Sequence, residues 1–428
     1  MEAKRDMTGN QMFILADDLT GANDTAIQFV KQGLSALVIT HAEFSGISKF
    51  AAYDILSINS DSRGMSPKDA YNELRKIMTQ LKAAKLEGAY YKKVDSVLRG
   101  NPGPELAAVM DELGIPLAIA APSFPANRSI VEQGMLKSGK TSPQAVTDAV
   151  KIFAGSMDKK VESMPLDIIR GGHLKAAEFL LARHKDGVQV FVADAVNDED
   201  LAIIRRLSAA IEKPHILAGS AGLGNQIAQS MGRNPAAAPL SLGSQTPALI
   251  IAGTRQGETA AQIVTLSEKF SAPIVRFRVD LAEEGRSEEA IKLAFEEAAE
   301  AMKKNPALCI VAVASMFKSE IPEGNVAWNK ADSDAGGDAI SAALGILAGN
   351  LIDAFRFPAL LSTGGDTSLE ICKRLGVAGI QPIAEICPGI PIGKIIGGSC
   401  ENRYIITKSG RFGTGESLVE IMRYLGNA

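Results

Sequence analysis

Short apolar runs of four to six residues recur along this chain, at 12–16, 37–40, 55–58, 89–94, 117–121, 188–193 and 215–218, then at 248–252, 274–277, 308–313 and 358–361. Their side chains are apolar without alternation, the pattern of strands buried on both faces of a parallel sheet. Helical stretches lie between them. One is predicted near Asn23 and ends at Gly33, a residue suited to the position just past a helix. Ser66, Pro67 and Asp69 predict a helix start, with Ser as cap, Pro in the first turn and an acid at the third position. A helix rich in Ala and Gly is predicted from about Asp338 to Phe355. This alternation predicts two α/β domains, each with a mostly parallel sheet, and a ligand cleft between them.

The rhythm breaks once. Arg233 is followed by Pro235, Ala236, Ala237, Ala238 and Pro239, then by Gly243 and Pro247. That composition predicts a linker. The expected division is an N-terminal domain over 1–233, a linker over 234–247 and a C-terminal domain over 248–428. A chain of 428 residues with 46% apolar and 22% charged residues has the core for two domains. The net charge of −4 leaves no basic surplus for a nucleic-acid backbone, so no nucleic-acid partner is expected. No apolar run reaches the roughly 18 residues of a membrane helix. The N-terminus opens with mixed charge and its first apolar run is too short for a signal peptide, so no membrane partner and a cytoplasmic location are expected. Cys309, Cys372, Cys387 and Cys400 show no CxxC spacing, and the four histidines form no metal-ligand pattern. The oligomeric state is not readable, and a homo-oligomer stays open.

Ligands of open α/β sheets bind off the carboxyl ends of the strands. In the first half these ends carry Asp17 and Asp18, then Asp61 and Arg63, then Lys93, Asp95 and Ser96, then Ser123, Asn127 and Arg128. Arg63 and Lys93 suit a carboxylate through charge-assisted bonds. Asp17 suits the task of accepting a hydroxyl proton and aiming the oxygen, with Asp95 as the alternative base. The second half carries three glycine- and hydroxyl-rich turns, at 253–257, 362–367 and 409–417. Glycine admits a ligand close to the backbone, and a helix N-terminus offers unpaired N–H groups, so the three turns predict an anion-binding rim. Asp366 suits Mg²⁺, directly or through water. The spacing Gly410-x-x-Gly413-x-Gly415 is neither a dinucleotide fingerprint nor a P-loop.

Together these segments resemble the four-carbon acid sugar kinase family. The resemblance rests on Ile14 to Asp24, Lys93 to Asn101, Pro122 to Arg128, Ala218 to Leu223, Thr363 to Thr367, Pro388 to Pro391 and Thr407 to Gly413, in order along nearly the whole chain. It implies an N-terminal sugar-acid-binding domain, a C-terminal nucleotide-binding domain, and ATP-dependent phosphorylation of the 4-hydroxyl of a four-carbon sugar acid. The form of the first motif and of Lys93-Val94-Asp95-Ser96 looks closest to the D-threonate subgroup, which would yield 4-phospho-D-threonate. D-erythronate and 3-oxo-tetronate are the alternatives. Carried over, the substrate positions are Asp17, Arg63, Lys93, Val94, Asp95 and Ser96. The nucleotide positions are Thr254, Gly364, Gly365, Asp366, Thr367 and Gly410, with ATP and Mg²⁺ implied. Two other classes compete: a binding protein that closes on a sugar acid without chemistry, and a nicotinamide-dependent dehydrogenase. The latter lacks G-x-G-x-x-G after the first strand.

Overall fold

The computed structural model describes residues 11–41, 47–139, 145–233, 242, 245–317 and 333–427. The chain divides into two compact units, residues 1–236 and 237–428. Most of the expected linker, 234–247, lies outside the described residues.

The first unit contains β1 (Gln11–Ala16), α1 (Leu19–Val30), β2 (Ala36–Ile39), β3 (Ile55–Asn59), α2 (Pro67–Ala83), β4 (Gly88–Lys93), α3 (Pro102–Leu113) and β5 (Leu117–Ala121). It continues with β6 (Ser129–Glu132), β7 (Met135–Ser138), β8 (Ala145–Asp148), α4 (Ala149–Ala154), β9 (Val161–Met164), α5 (Leu166–Arg170), α6 (His173–Lys185), β10 (Val190–Ala193), α7 (Asp198–Ala210), β11 (His215–Gly219) and α8 (Ala221–Met231). Its main strands run in the order β2-β3-β1-β4-β11-β5-β10-β9, all parallel. Strands β6, β7 and β8 form a small antiparallel sheet.

β1 is central, and Phe13 to Ala16 are fully buried. Its last residue, Ala16, stands in register with both Asn59 and Lys93, so the loops that leave β1, β3 and β4 start side by side. Helix α1 begins at Leu19, earlier than the expected start near Asn23. The Asp18 side chain caps it by accepting from the Gly21 N–H, and α1 is buried from Leu19 to Phe29. Asn23 and Asp24 are interior polar groups of a helix buried along nearly its whole length.

The second unit contains β12 (Ala248–Ala252), α9 (Gly257–Phe270), β13 (Ile274–Phe277), α10 (Val279–Glu283), α11 (Ser287–Lys304), β14 (Leu308–Val313), α12 (Ser333–Phe355), β15 (Ala359–Thr363), α13 (Gly365–Leu375), β16 (Gly379–Cys387), β17 (Ile390–Ile396), β18 (Tyr404–Lys408) and α14 (Ser417–Tyr424). Its strand order is β13-β14-β12-β15-β18-β17-β16. The first five strands are parallel, while β17 runs antiparallel to both β18 and β16. The β16–β17 hairpin was not foreseen: Pro382, Pro388 and Pro391 interrupt its pattern, and register shifts break its pairing.

Helix α12 begins at Ser333, before the expected Asp338. Residues 337–355 are long and apolar enough to cross a membrane by length and composition, which the search for unbroken apolar runs did not register. In this fold the helix is a core element, with Ile340, Leu344, Leu347, Leu351 and Ile352 buried.

Candidate functional site

In the first unit the loops after β1, β3 and β4 meet in a charged cluster around one guanidinium. Arg63 Nε donates to Asp17 Oδ2 at 2.7 Å and Nη2 to Asp17 Oδ1 at 3.0 Å, while Nη1 donates to Asp18 Oδ2 at 2.6 Å. Asp95 Oδ1 lies 3.7 Å from Nη2 of the same group. Asp95 is gripped in turn by Arg99, Nε to Oδ2 at 2.8 Å and Nη2 to Oδ1 at 2.7 Å, and it also accepts the Val97 and Arg99 N–H groups. Gly100 passes over the Asp17–Arg63 pair with φ +81°. A Cβ there would sit 3.2 Å from Asp17 Oδ2 and 3.3 Å from the Arg63 Cα.

Two lysines complete the cluster. Lys93 Nζ donates to the Val94 carbonyl at 2.8 Å and borders Gly21, where a Cβ would lie 2.9 Å from that Nζ. Glycine at 21 therefore leaves room for the ammonium at the start of α1. Lys92 points the other way into the core. It pairs with Glu105 Oε2 at 2.8 Å and donates to the carbonyls of Leu15 at 3.0 Å and Lys93 at 2.7 Å. Glu105 also accepts from Ser62 Oγ at 2.7 Å. This buried pair ties the ends of β1 and β4 to α3 and to the loop that carries Arg63.

The electrostatics follow from that arrangement. Burial pushes the Asp17 carboxyl up, but the Arg63 guanidinium, with Lys92 and Lys93 behind it, holds it below the ordinary carboxylate value. Asp95 is likewise held well below the ordinary carboxylate value, because Arg99, Arg63 and Lys93 outweigh its burial. Glu105 goes the opposite way: burial dominates and raises it despite Lys92. Asp17 and Asp95 are thus ionised acceptors near neutral pH.

In the second unit the three predicted turns follow β12, β15 and β18, which are adjacent strands, and they pack against one another. Gly253 N donates to the Thr363 carbonyl at 3.2 Å and Gly364 N to the Lys408 carbonyl at 3.2 Å. A Cβ on Gly253 would meet Thr367 Oγ1 at 2.0 Å, and one on Gly410 would meet Thr254 Oγ1 at 2.2 Å. Gly364 adopts φ +101° and caps α13, whose first turn carries Asp366, exposed, and Thr367, buried. The third turn is pinned by α9: Thr259 Oγ1 donates to the Gly410 carbonyl at 2.8 Å, and Gln262 Nε2 donates to the Phe412 and Thr414 carbonyls at 3.1 and 2.8 Å. The result is a backbone-lined rim beside the starts of α9 and α13, with N–H groups for an anion.

Asp17, Arg63, Lys93 and Asp95 therefore gather in one cluster, with Val94 supplying the carbonyl that takes the Lys93 ammonium. Ser96 is half-buried nearby, and its carbonyl accepts from Ser129 Oγ. Thr254, Gly364, Gly365, Asp366, Thr367 and Gly410 gather in the other. Ser123, Asn127 and Arg128 follow β5, which β11 separates from β4, and Ser123 Oγ is spent on the Ala195 carbonyl and the Val131 N–H. Sequence reasoning assigned no role to Lys92, Glu105, Arg99, Thr259 and Lys408, although Arg99 and Lys408 lie within the segments that carry the resemblance. A lysine inside an apolar strand, as Lys92 and Lys408 are, was the available signal, since lysine is almost never fully buried without a task.

Comparison with known proteins follows the same division. Residues 12–227 match the family described as Sugar-binding N-terminal domain, and residues 249–418 match the Nucleotide-binding C-terminal domain. The chain is 26% identical to a D-threonate kinase of Salmonella typhimurium over 97% of its own length and 98% of that protein. It is 28% identical to a D-threonate kinase of Bordetella bronchiseptica, covering 96% and 97% of the two chains. A D-erythronate kinase of Heliobacterium modesticaldum is 24% identical, with 97% of each covered. Among solved structures, one from Salmonella typhimurium superposes with TM-score 0.74 at 21% identity, over 96% of this chain and 99% of the other, a likeness of fold.

Proposed function

We infer the activity from one premise: the chain belongs to the four-carbon acid sugar kinase family, built from a sugar-binding N-terminal and a nucleotide-binding C-terminal domain. It is a sugar-acid kinase that uses ATP. The finer reading is that it phosphorylates the 4-hydroxyl of D-threonate. What supports D-threonate over D-erythronate or 3-oxo-tetronate is its likeness over nearly the whole chain to two relatives named D-threonate kinase.

The observation that carries the kinase chemistry is the Asp17–Arg63 pair at the carboxyl end of β1. In this reading Asp17, kept ionised by Arg63, accepts the hydrogen of the substrate 4-hydroxyl and aims its oxygen. An aspartate with a lowered pKa orients a nucleophile well and abstracts its proton only as the phosphorus–oxygen bond forms. Lys93 and the edge of Arg63 carry the substrate carboxylate, and the run through Val94, Asp95 and Ser96 lines the sugar-acid site. Because Arg63 already pairs with Asp17 and Asp18, an incoming carboxylate adds to that cluster or displaces Asp18 from it. Asp95, held by two arginines, remains the reserve base.

The nucleotide would lie on the turns carrying Thr254, Gly364 to Thr367 and Gly410, whose glycines leave space that side chains would fill. Asp366 would hold Mg²⁺. Among the described residues no three His, Cys, Asp or Glu side chains gather as a metal cage. That fits Mg²⁺, which takes one or two carboxylates and completes its shell with phosphate oxygens and water. Bound there, the ion would neutralise charge on the transferring phosphates.

ADP release measured with D-threonate, D-erythronate, 3-oxo-tetronate and no acceptor tests the reading. D-threonate is expected to give the highest kcat/KM. Release with D-erythronate as the best acceptor moves the chain to that subgroup. Binding of an acid without any ADP release favours the non-catalytic alternative.

A further inference from the structure

Lys408, the last residue of β18, is a fully buried lysine that none of the assignments above uses. Its Nζ donates to Thr259 Oγ1 at 2.9 Å and to the Ser409 carbonyl at 3.1 Å. An ammonium has three donors, so one stays unfilled, and among the described residues no carboxylate pairs with it. Burying a cation without a counter-charge is costly, and most buried lysines are paired. Opposite Lys408 across the β15–β18 ladder stands Thr363, whose buried hydroxyl also has no hydrogen-bond partner among the described residues. Register partners face the same side of a sheet, so an unfilled donor and an unpaired hydroxyl lie together beneath the glycine rim.

The groups that hold Lys408 are those that shape the rim. Thr259 Oγ1 in turn donates a hydrogen bond to the Gly410 carbonyl, and the Lys408 carbonyl accepts the Gly364 N–H. Resting on the nucleotide-site reading given above, we propose that Lys408 is the positioning cation of that site: it orients the Ser409–Gly410 turn through Thr259 and Ser409, and supplies from behind the backbone the positive charge that bound phosphates require. Its seclusion makes it a partner through the turn rather than a direct ligand.

The charge state fits this role. Burial pushes the Lys408 ammonium down to about 7, opposed by Glu258 in the first turn of α9. Other charged residues on the elements around β18 are Lys394, opposite Tyr404 in the ladder, Asp366, Glu370, Lys373 and Arg374 on α13, and Glu268 and Lys269 toward the end of α9. Glu258 is the charged neighbour that acts on Lys408. Above neutrality the lysine is largely neutral in the empty site, and polyanion binding would draw a proton onto it.

The test is calorimetric titration with ADP in the presence of EDTA at about pH 8.5, where ADP itself is fully ionised, in two buffers of different ionisation enthalpy. The wild-type chain is expected to take up close to one proton per ADP bound. Lys408→Met should abolish that uptake and weaken ADP by about tenfold or more, as loss of a charge-assisted contact does. Lys408→Arg, a permanent cation, should abolish the uptake while binding ADP more tightly than Lys408→Met. Binding without proton uptake in the wild type, or unchanged ADP affinity in Lys408→Met, overturns the proposal and leaves the nucleotide site standing. No binding of ADP or ATP by the wild type overturns the nucleotide-site reading and this proposal with it.

Discussion

Arg63 holds Asp17 by two parallel bonds, Nε to Oδ2 at 2.7 Å and Nη2 to Oδ1 at 3.0 Å, although the two residues leave different strands and stand 46 positions apart. This two-pronged geometry is the strong form of a charge-assisted bond, and here it is shielded from water on the Asp17 side. Without the guanidinium the largest lowering influence on the Asp17 carboxyl is gone, while its burial stays, so the group moves up from its position in the wild type. Arg63→Met is therefore expected to move the acid limb of the kcat/KM profile to higher pH and to lower kcat/KM by about tenfold or more at neutral pH. An unchanged acid limb in the variant would separate Asp17 from the pH-dependent step. The same pair contributes to stability with a defined sign. Asp17 is lowered in the folded chain, so its contribution is full above the unfolded carboxylate value and disappears as pH falls through the folded one.

Asp17→Asn keeps the shape and removes the ionised acceptor. It is expected to lower kcat by roughly 10² to 10⁴, with little change in ATP affinity. Asp95→Asn, which loosens Arg99 instead, is expected to act mainly on KM for the acid. Steady-state kinetics of both variants decide the assignment. A large kcat loss in Asp95→Asn beside a loss below about tenfold in Asp17→Asn would transfer the base to Asp95.

Asp366→Ala removes the carboxylate at the start of α13. Weaker Mg-ATP binding and loss of turnover are expected, with sugar-acid binding retained, because Asp17, Arg63 and Lys93 belong to the other unit. Calorimetry with each ligand checks this. Unchanged Mg-ATP affinity with near-normal kcat would remove Asp366 from the metal's shell.

Gly410→Ala brings a Cβ to 2.2 Å from Thr254 Oγ1, closer than atoms can pack. The turn must shift, so nucleotide affinity should fall while sugar-acid binding persists, with a stability loss of about 1–3 kcal/mol, the usual cost of overpacking. Gly415→Ala, five residues on, has nothing within 4 Å and serves as the control expected to stay near wild type.

Lys408→Met should stabilise the fold, and the gain should depend on pH. The lysine falls from 10.5 to about 7 on folding, so its penalty is full below pH 7, shrinks as pH rises, and vanishes above 10.5. That fall corresponds to at most about 5 kcal/mol. Denaturant unfolding at pH 6.5 and pH 9.5 measures it. An equal effect at the two values would mean that Lys408 stays charged in the folded chain up to pH 9.5, with no lowered pKa.

Much of the architecture was legible in the linear pattern. The unbroken apolar runs that became β1, β3, β5, β12 and β14 could be satisfied only inside a parallel sheet, and the cap at Ser66 is a local choice that sequence records directly. Asp17, Arg63, Lys93 and Asp95 were readable as strand-end residues, as were the three glycine turns. That much follows from short-range rules of periodicity, capping and backbone freedom. What those rules do not contain is who faces whom. That Arg63 spends its donors on Asp17 and Asp18, that Lys92 is neutralised inside the core by Glu105, and that Lys408 finds no carboxylate partner among the described residues are decided by strand order and register. The antiparallel turn-back of β16 and β17 was hidden for the same reason, since its pairing comes from strands brought alongside by the fold while its prolines argue locally against any strand. Charge state at a site depends on burial and on neighbours within a few ångströms, and both are set only when distant segments pack together.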